Sequence, residues 1–286
     1  MRKSFWELAT TFAGFKDEIS SLNEIFNIRK YCIDGSRSLN TIRYYIDNEF
    51  YPTWAYKHKI TFPNIYSLMQ YLGIFDLSSR AQMGEAVSLE KFLLYTETIY
   101  NLVSIDNVIA NPFIVDPVLQ LKHNIEIDCE RLGFEIKKTK EEKYIIVEKN
   151  AAATAVADKY ADTELDLSFK VIEYNHFLLK GNIDRKEEIL LALWKKFEPV
   201  AKRLAASSFK SVADDAGYLL NNLDIRHSNT SPEIKNYKPH VAQMPPKELE
   251  EWYDKTYNIL LLALLADDFS ALHKEIKELK AQIEAK

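Results

Sequence analysis

The chain has 286 residues and a formal net charge of -5, with only 7 Gly and 9 Pro. Ordinary proteins contain these two residues at about 12% in total, so this chain has roughly half the usual share. Because turns depend on glycine and proline, the scarcity predicts a mainly α-helical fold. No two glycines stand at the spacing of a dinucleotide or phosphate-binding loop, which excludes both motifs. The acidic balance argues against a general nucleic-acid binder, although a local basic site remains open.

Size and cysteine content indicate the class of protein and its compartment. A chain of this length forms about two domains. The two cysteines, Cys32 and Cys129, form neither a disulfide framework nor a metal knuckle. Glu7 and Asp17 interrupt the apolar run that a signal peptide needs, and the longest apolar run, residues 259–266, is too short to cross a bilayer. We expect a cytoplasmic protein with no membrane partner, no metal and no cofactor.

Residues 1–150 are predicted to form a mostly helical region that ends in a β-hairpin. The apolar spacing of Val118, Leu121 and Ile125 predicts a helix. Gly133 follows it where a C-terminal cap is expected. The run at 144–147 is aromatic and β-branched, as strands are. We therefore predict one small β-hairpin at about 134–148 and assign no role to the rest of this region.

Residues 151–286 are predicted to form a helical bundle. Pro246 opens a strongly amphipathic helix. Ser270 is expected to cap a separate last helix. The apolar residues of that helix follow a 4-3-4 spacing: Leu272, Ile276, Leu279 and Ile283. This spacing is typical either of a charged, solvated terminal helix or of a seam for a partner helix. We expect the protein to be a homodimer.

The most unusual segment of the sequence follows an apolar helical stripe that ends at Leu223. Continuing the helical period by three and four residues reaches Arg226 and His227, where another leucine would be expected. Pro232 then predicts that the helix has stopped, and a loop runs on to His240. Four of the nine prolines lie within fifteen residues after this polar pair, and they are Pro232, Pro239, Pro245 and Pro246.

Two interpretations of this polar pair are open. Arg and His in a last helical turn interact favourably with the free carbonyls and the helix dipole. Alternatively, the pair faces a cleft or a partner. Arg226 would then hold a phosphate, and His227 would act as a general acid or base near neutral pH. Asn229 or His240 would assist, giving the parts of a metal-independent RNA-cleaving site.

The segment from Asn221 to Asn229, late in a helix, and the following helix opened by Pro245 and Pro246 carry a resemblance. The chain from about 171 to 271 resembles a HEPN domain of abortive-infection, or phage-defence, proteins. The resemblance implies a bundle of four or five helices. It also implies pairing of two domains, so that two Arg-x4–6-His motifs form one ribonuclease site.

The sequence departs from that motif in its spacing. No arginine is followed by a histidine after four to six intervening residues, and Arg226 and His227 are adjacent. In the register of the motif, Asn222 takes the arginine position relative to His227. Three alternatives follow: an inactive domain, a variant site, or a domain that binds RNA without cutting it.

Two functional hypotheses result. The first is a phage-defence effector that acts on RNA, with Arg226, His227, Asn229 and His240 as its site, and with an antitoxin or regulatory partner as an open question. The second is a non-catalytic helical module for RNA binding, protein interaction or dimerisation, in which Arg226 and His227 are caps. The location of Arg226 relative to a dimer axis would discriminate them.

Overall fold

A computed structural model describes residues 12, 14–32, 39–106, 108, 114–227 and 229–284. The chain divides into two compact units, Met1–Glu148 and Lys149–Lys286, whereas the predicted boundary follows Asn150. Most of the described residues are helical, which confirms the predicted mainly α fold.

Seven helices and two strand pairs make up the described part of the N-terminal unit. The helices are α1 (Phe15–Asn23), α2 (Ile42–Tyr45), α3 (Tyr51–Lys57), α4 (Ile65–Tyr71), α5 (Leu77–Gln82), α6 (Leu89–Val103) and α7 (Val115–Arg131). The strands are β1 (Lys30–Cys32), β2 (Leu39–Thr41), β3 (Phe134–Lys138) and β4 (Tyr144–Glu148). Two π-helical turns, Glu24–Ile28 and Ile46–Phe50, extend α1 and α2.

Helices α6 and α7 pack against each other and form much of the core of this unit. The Ser88 side chain caps α6 by accepting a hydrogen bond from the Lys91 N–H at 3.2 Å, which satisfies an orphan donor of the first turn. The apolar stripe predicted for α7 is buried. That helix ends at Arg131, and Gly133 follows with a φ of 83°. The left-handed conformation explains why glycine stands there.

The predicted β-hairpin is confirmed. Strands β3 and β4 pair antiparallel, with Ile136 opposite Ile146. The other edge of β4 meets side chains of α6. Asn101 Nδ2 donates to the Tyr144 carbonyl at 2.7 Å, and the Tyr144 N–H donates to Asn101 Oδ1 at 2.9 Å. The Ile146 N–H donates to Glu97 Oε2 at 2.6 Å. These side chains satisfy backbone groups that a third strand would otherwise take.

The prediction of a single hairpin is wrong, because β1 and β2 form a second antiparallel pair. Lys30 lies opposite Thr41, and Cys32 lies opposite Leu39. Each strand has three residues, which is too few to show a period of two in the sequence. The pairing in space defines them as strands.

The described part of the C-terminal unit is helical throughout. Its helices are α8 (Ala151–Tyr160), α9 (Leu165–Glu173), α10 (Ile183–Leu204), α11 (Lys210–Asn222), α12 (Pro239–Ala242) and α13 (Pro246–Glu284), with a 3₁₀ turn at Phe177–Leu179. Helix α13 is the centre of the bundle, since α8, α10 and α11 all pack against it.

A buried aromatic pair links α13 to α9. The rings of Tyr174 and Tyr257 stack with centroids 3.9 Å apart. The Tyr257 hydroxyl donates to the Val171 carbonyl at 2.7 Å and accepts from Asn175 Nδ2 at 2.9 Å. Burial raises the pKa of Tyr257 above its ordinary value. The hydroxyl is therefore a satisfied structural group, as buried tyrosines usually are.

The predicted break at Ser270 is wrong, because α13 continues through it to Glu284. A capping serine needs an extended backbone, and Ser270 lies inside the helix. Pro246 opens this helix as predicted. None of the helices in the described ranges combines the length and the apolar content needed to span a bilayer.

Candidate functional site

The helix that carries the polar segment ends earlier than its apolar period suggests. Helix α11 ends at Asn222, and Asp224 has a left-handed backbone with a φ of 62°. The Arg226 N–H then donates to the Leu220 carbonyl at 3.1 Å, which closes the helix end. The buried position after Leu223 belongs to Ile225, which is 2% exposed. The expectation that Arg226 and His227 continue the helical stripe is therefore wrong.

Asp224 holds the start of the following loop. Its carboxylate accepts hydrogen bonds from the backbone N–H groups of Asn229 and Thr230 and from the Thr230 hydroxyl, the last at 2.9 Å. An aspartate that bonds to backbone a few residues ahead stabilises a turn in the way that a cap stabilises a helix. This residue was not singled out in the sequence, although an Asp just after an apolar stripe is the available signal.

Asn229 is fully buried and has a structural position. Its Nδ2 donates to the Asn221 carbonyl at 2.9 Å, and its own carbonyl accepts from the Lys238 N–H at 2.7 Å. Asn229 thus ties both ends of the loop to the end of α11. A ligand would reach it only after the loop had moved, so a direct role in chemistry is not what this geometry favours.

Arg226 lies against α10 and remains partly exposed. Its guanidinium carbon is 4.6 Å from the centroid of the Trp194 ring, within cation–π distance. Its Nη1 donates to Asn221 Oδ1 at 3.2 Å, and its Nη2 lies 4.0 Å from Glu198 Oε1. The chain itself therefore orients the guanidinium and partly balances its charge.

His227 and His240 are both exposed. His227 follows Arg226 in the loop, and His240 lies in the short helix α12. Within the described ranges neither imidazole has a hydrogen bond or an ion pair, so nothing there fixes a tautomer. Of the four predicted site residues, Arg226 and Asn229 meet through Asn221, whereas no contact joins the two histidines to them.

An acidic patch lies on the inner side of the loop, at the start of α10. Burial raises the pKa of Glu187, and the charges of Asp224 and Asp184 raise it further. Burial, and after it the same three carboxylates, raises the pKa of Tyr253. An anionic ligand would therefore meet repulsion on this inner side and approach the loop from its outer side.

A buried charged cluster in the same unit was missed in the sequence. Lys186 is 6% exposed, and its Nζ lies 2.8 Å from Glu250 Oε1 and 2.7 Å from Asp254 Oδ1. The Tyr174 hydroxyl donates to the same Asp254 oxygen at 3.0 Å. The Gly181 N–H donates to Glu250 Oε1 at 2.7 Å.

The electrostatics of this cluster are balanced from within. Burial alone would raise the pKa of Glu250, but the hydrogen bonds from Lys186 and Gly181 outweigh it and lower that pKa. We interpret the cluster as an ion network that joins α10 to α13. Lys186 precedes Ile189, Leu190 and Leu193 by three, four and seven residues. Helical periodicity alone could have placed it on the buried face.

Comparison with known proteins adds no relative. No protein-family model matches the chain, and no curated protein or solved structure was found to match it. The resemblance to HEPN domains therefore rests on the sequence segment around Arg226 and on the helix that follows it. In the described ranges, no group of three His, Cys, Asp or Glu side chains has the arrangement of a metal site.

The loop geometry predicts the effect of removing the Asp224 side chain. Asp224→Ala should lower the free energy of unfolding by about 2 kcal/mol, because three hydrogen bonds disappear and alanine is strained in the left-handed region. Denaturant unfolding measures this value, and limited proteolysis should show earlier cleavage in 226–238. Asp224→Asn keeps an acceptor and removes a charge that faces Glu187, so it should stay within about 0.5 kcal/mol of wild type. Equal stability of the alanine variant and the wild type would contradict the assignment.

Proposed function

We propose that the C-terminal unit is a non-catalytic module that binds single-stranded RNA through the outer side of the loop at 226–240. We call this segment the basic loop. Its cationic residues are Arg226, Lys235 and Lys238, its titratable residues are His227 and His240, and its one acidic residue is Glu233. The proposal rests chiefly on the exposure of Lys235, Lys238 and both histidines, because exposed cations provide most of the affinity for a phosphate backbone.

The fixed backbone of the basic loop supports the proposal. The Lys238 N–H bonds to the Asn229 carbonyl, and turns at Ser231 and Ile234 are closed by hydrogen bonds of 3.2 and 3.0 Å. A loop that is already ordered loses less conformational entropy when it binds a ligand. Its four surrounding prolines reduce that entropy further.

Planar groups at the end of α11 would supply stacking surfaces for unpaired bases. Arg226 stacks on Trp194, and Tyr218, which is largely exposed, lies one turn before the helix end. Bases of single-stranded RNA stack on aromatic rings and on guanidinium planes. A chain of net negative charge can bind RNA at such a local site because screening confines electrostatic effects to about 10 Å at ordinary ionic strength.

Endoribonuclease activity is the second candidate, and the adjacency of exposed His227 to Arg226 favours it. A general base must lie within hydrogen-bond reach of the proton it removes, and it is usually oriented by a third group. The described contacts of His227 supply no such group, which is why binding without cleavage is preferred. The role in phage defence is part of the proposal and is supported by the resemblance to HEPN domains alone.

The binding test measures fluorescence anisotropy of labelled single-stranded RNA with the full chain over a series of salt concentrations. Lys235→Glu/Lys238→Glu should weaken binding at least tenfold and reduce the salt slope by about 2, one for each lost phosphate contact. The matched control, Lys195→Glu/Lys202→Glu, makes the same charge change at exposed positions of α10 and should bind nearly as wild type. Equal weakening by both double variants would overturn the assignment of the loop.

The same preparations decide between binding and cleavage. Labelled RNA incubated with the protein and a metal chelator should be recovered intact if the module is non-catalytic. Cleavage that disappears in His227→Ala and persists in His123→Ala, an exposed histidine of the other unit, would establish the ribonuclease instead. Absence of both binding and cleavage would reject an RNA function altogether.

A further inference from the structure

The last part of α13 leaves the helical bundle. From Ala271 to Glu284 every residue is exposed. The preceding turn still contacts the bundle, because Phe269 packs edge-on against Phe209 and Asp268 pairs with Lys159 at 2.6 Å. A helical segment of about fourteen residues has marginal stability alone in water, and most helices are stabilised by packing of an apolar face.

This exposed segment has such a face. We call it the terminal seam, and it consists of Phe269, Leu272, Ile276, Leu279 and Ile283. Their spacing of 3-4-3-4 places them at alternating a and d positions of a heptad repeat. Each of these side chains is between 36% and 65% exposed, although residues of this type are normally buried.

The residue types in the terminal seam select a particular assembly. With Phe269 at an a position, Ile276 and Ile283 also occupy a positions, and Leu272 and Leu279 occupy d positions. β-branched residues at a combined with leucine at d favour two parallel strands over trimers and tetramers. The core of the seam therefore fits one partner helix in parallel orientation.

The flanking charges fit a second copy of the same segment. In this register Glu275 occupies a g position, and Lys280 occupies the e position of the next heptad. In a parallel pair, a g residue faces the e residue of the following heptad on the partner helix. Two copies therefore form Glu275–Lys280 pairs on both sides of the seam. An antiparallel pair would instead place g beside g and e beside e, and so like charges beside each other.

We propose that two copies of this chain associate through a parallel, two-stranded coiled coil formed by residues 269–284. The interface is isologous, since the same surface of each copy contacts its counterpart about a two-fold axis. It is independent of the basic loop and of the RNA-binding proposal. Two heptads form a small interface, so the association is a concentration-dependent equilibrium on the order of micromolar.

The first experiment is sedimentation equilibrium of the full chain over a wide range of concentrations. We expect a monomer–dimer equilibrium in the wild type. Ile276→Lys introduces a charge into the seam and should raise the dissociation constant at least tenfold. Ala281→Lys makes a comparable addition on the outer face of the same exposed helix and should leave the constant nearly unchanged. A chain that stays monomeric, or a dimer unaffected by Ile276→Lys, overturns the proposal.

The second experiment tests orientation. Ile283→Cys should form a disulfide-linked dimer under mild oxidation, because equivalent a positions of parallel helices lie within disulfide distance of each other. Ala281→Cys, on the outer face, should link far less. If the Ile283→Cys variant dimerises but its introduced thiols fail to link, the parallel arrangement is contradicted. Charge reversal adds a check, since Lys280→Glu should weaken the dimer and Glu275→Lys/Lys280→Glu should restore it.

Discussion

Lys186→Met is expected to lower the free energy of unfolding of the C-terminal unit by about 3 kcal/mol. Lys186 is buried between the carboxylates of Glu250 and Asp254, at 2.8 and 2.7 Å. Methionine fills similar space but removes the only cation of this network. The two carboxylates are then left to repel each other, with Glu250 mostly shielded from water.

Hydrogen exchange of peptides from the C-terminal unit measures this loss separately from the N-terminal unit. The control is Lys195→Met, which removes an exposed lysine from the same helix and should change stability by no more than about 0.5 kcal/mol. Adding Glu250→Gln to Lys186→Met should cost at least about 1 kcal/mol less than the two single effects together, since the residues contact each other. Strictly additive effects, or equal effects at Lys186 and Lys195, would show that the network contributes little.

The network also has a defined pH dependence. The pKa of Glu250 is lowered in the folded chain, so the folded state binds fewer protons than the unfolded state in the range where glutamate titrates. Its contribution is therefore complete above the ordinary glutamate pKa and is lost as the pH falls through the lower, folded value. Lys186→Met should flatten this acid dependence, because it removes the group that chiefly lowers the pKa.

Asp128→Asn is expected to stabilise the N-terminal unit by about 3 kcal/mol at mildly alkaline pH. Asp128 is 2% exposed, and its Oδ2 has no hydrogen-bond partner in the described ranges. Burial raises the pKa of this carboxyl to about 7; the charge of Glu18 raises it further, whereas Arg131, 3.6 Å away, lowers it. An amide has no charge to desolvate, so the variant avoids the cost of ionisation in the core.

The sign of the effect follows from proton binding. Between the ordinary aspartate pKa of about 4 and about 7, the folded chain binds more protons than the unfolded chain. Stability that is present at low pH is therefore lost as the pH rises through this window. Asp128→Asn should remove this part of the pH dependence.

Hydrogen exchange of peptides from α7 at several pH values provides the measurement. Asp116→Asn is the control, because Asp116 is exposed in the first turn of the same helix. Its replacement should destabilise slightly, by about 0.3 to 1 kcal/mol, through loss of a favourable helix-dipole interaction. A destabilised Asp128→Asn variant, or one with an unchanged pH profile, would contradict the account of this buried carboxyl.

The sequence determined those features that depend on neighbours along the chain. The shortage of glycine and proline was sufficient to predict helix, and the aromatic and β-branched run at 144–147 was sufficient to predict the hairpin. The cap at Gly133 and the start of α13 at Pro246 were likewise readable, because caps and helix starts involve residues within one turn.

Only the tertiary structure decided the surroundings of the polar residues. The left-handed Asp224 ends α11 early, so Arg226 meets Trp194 and Glu198 from another helix rather than continuing its own stripe. Lys186 finds its partners more than sixty residues away in α13. Local patterns determine which residues form a helix and which face is apolar. Partners for buried charges, and the exposure of the terminal seam, depend on which helices meet in space.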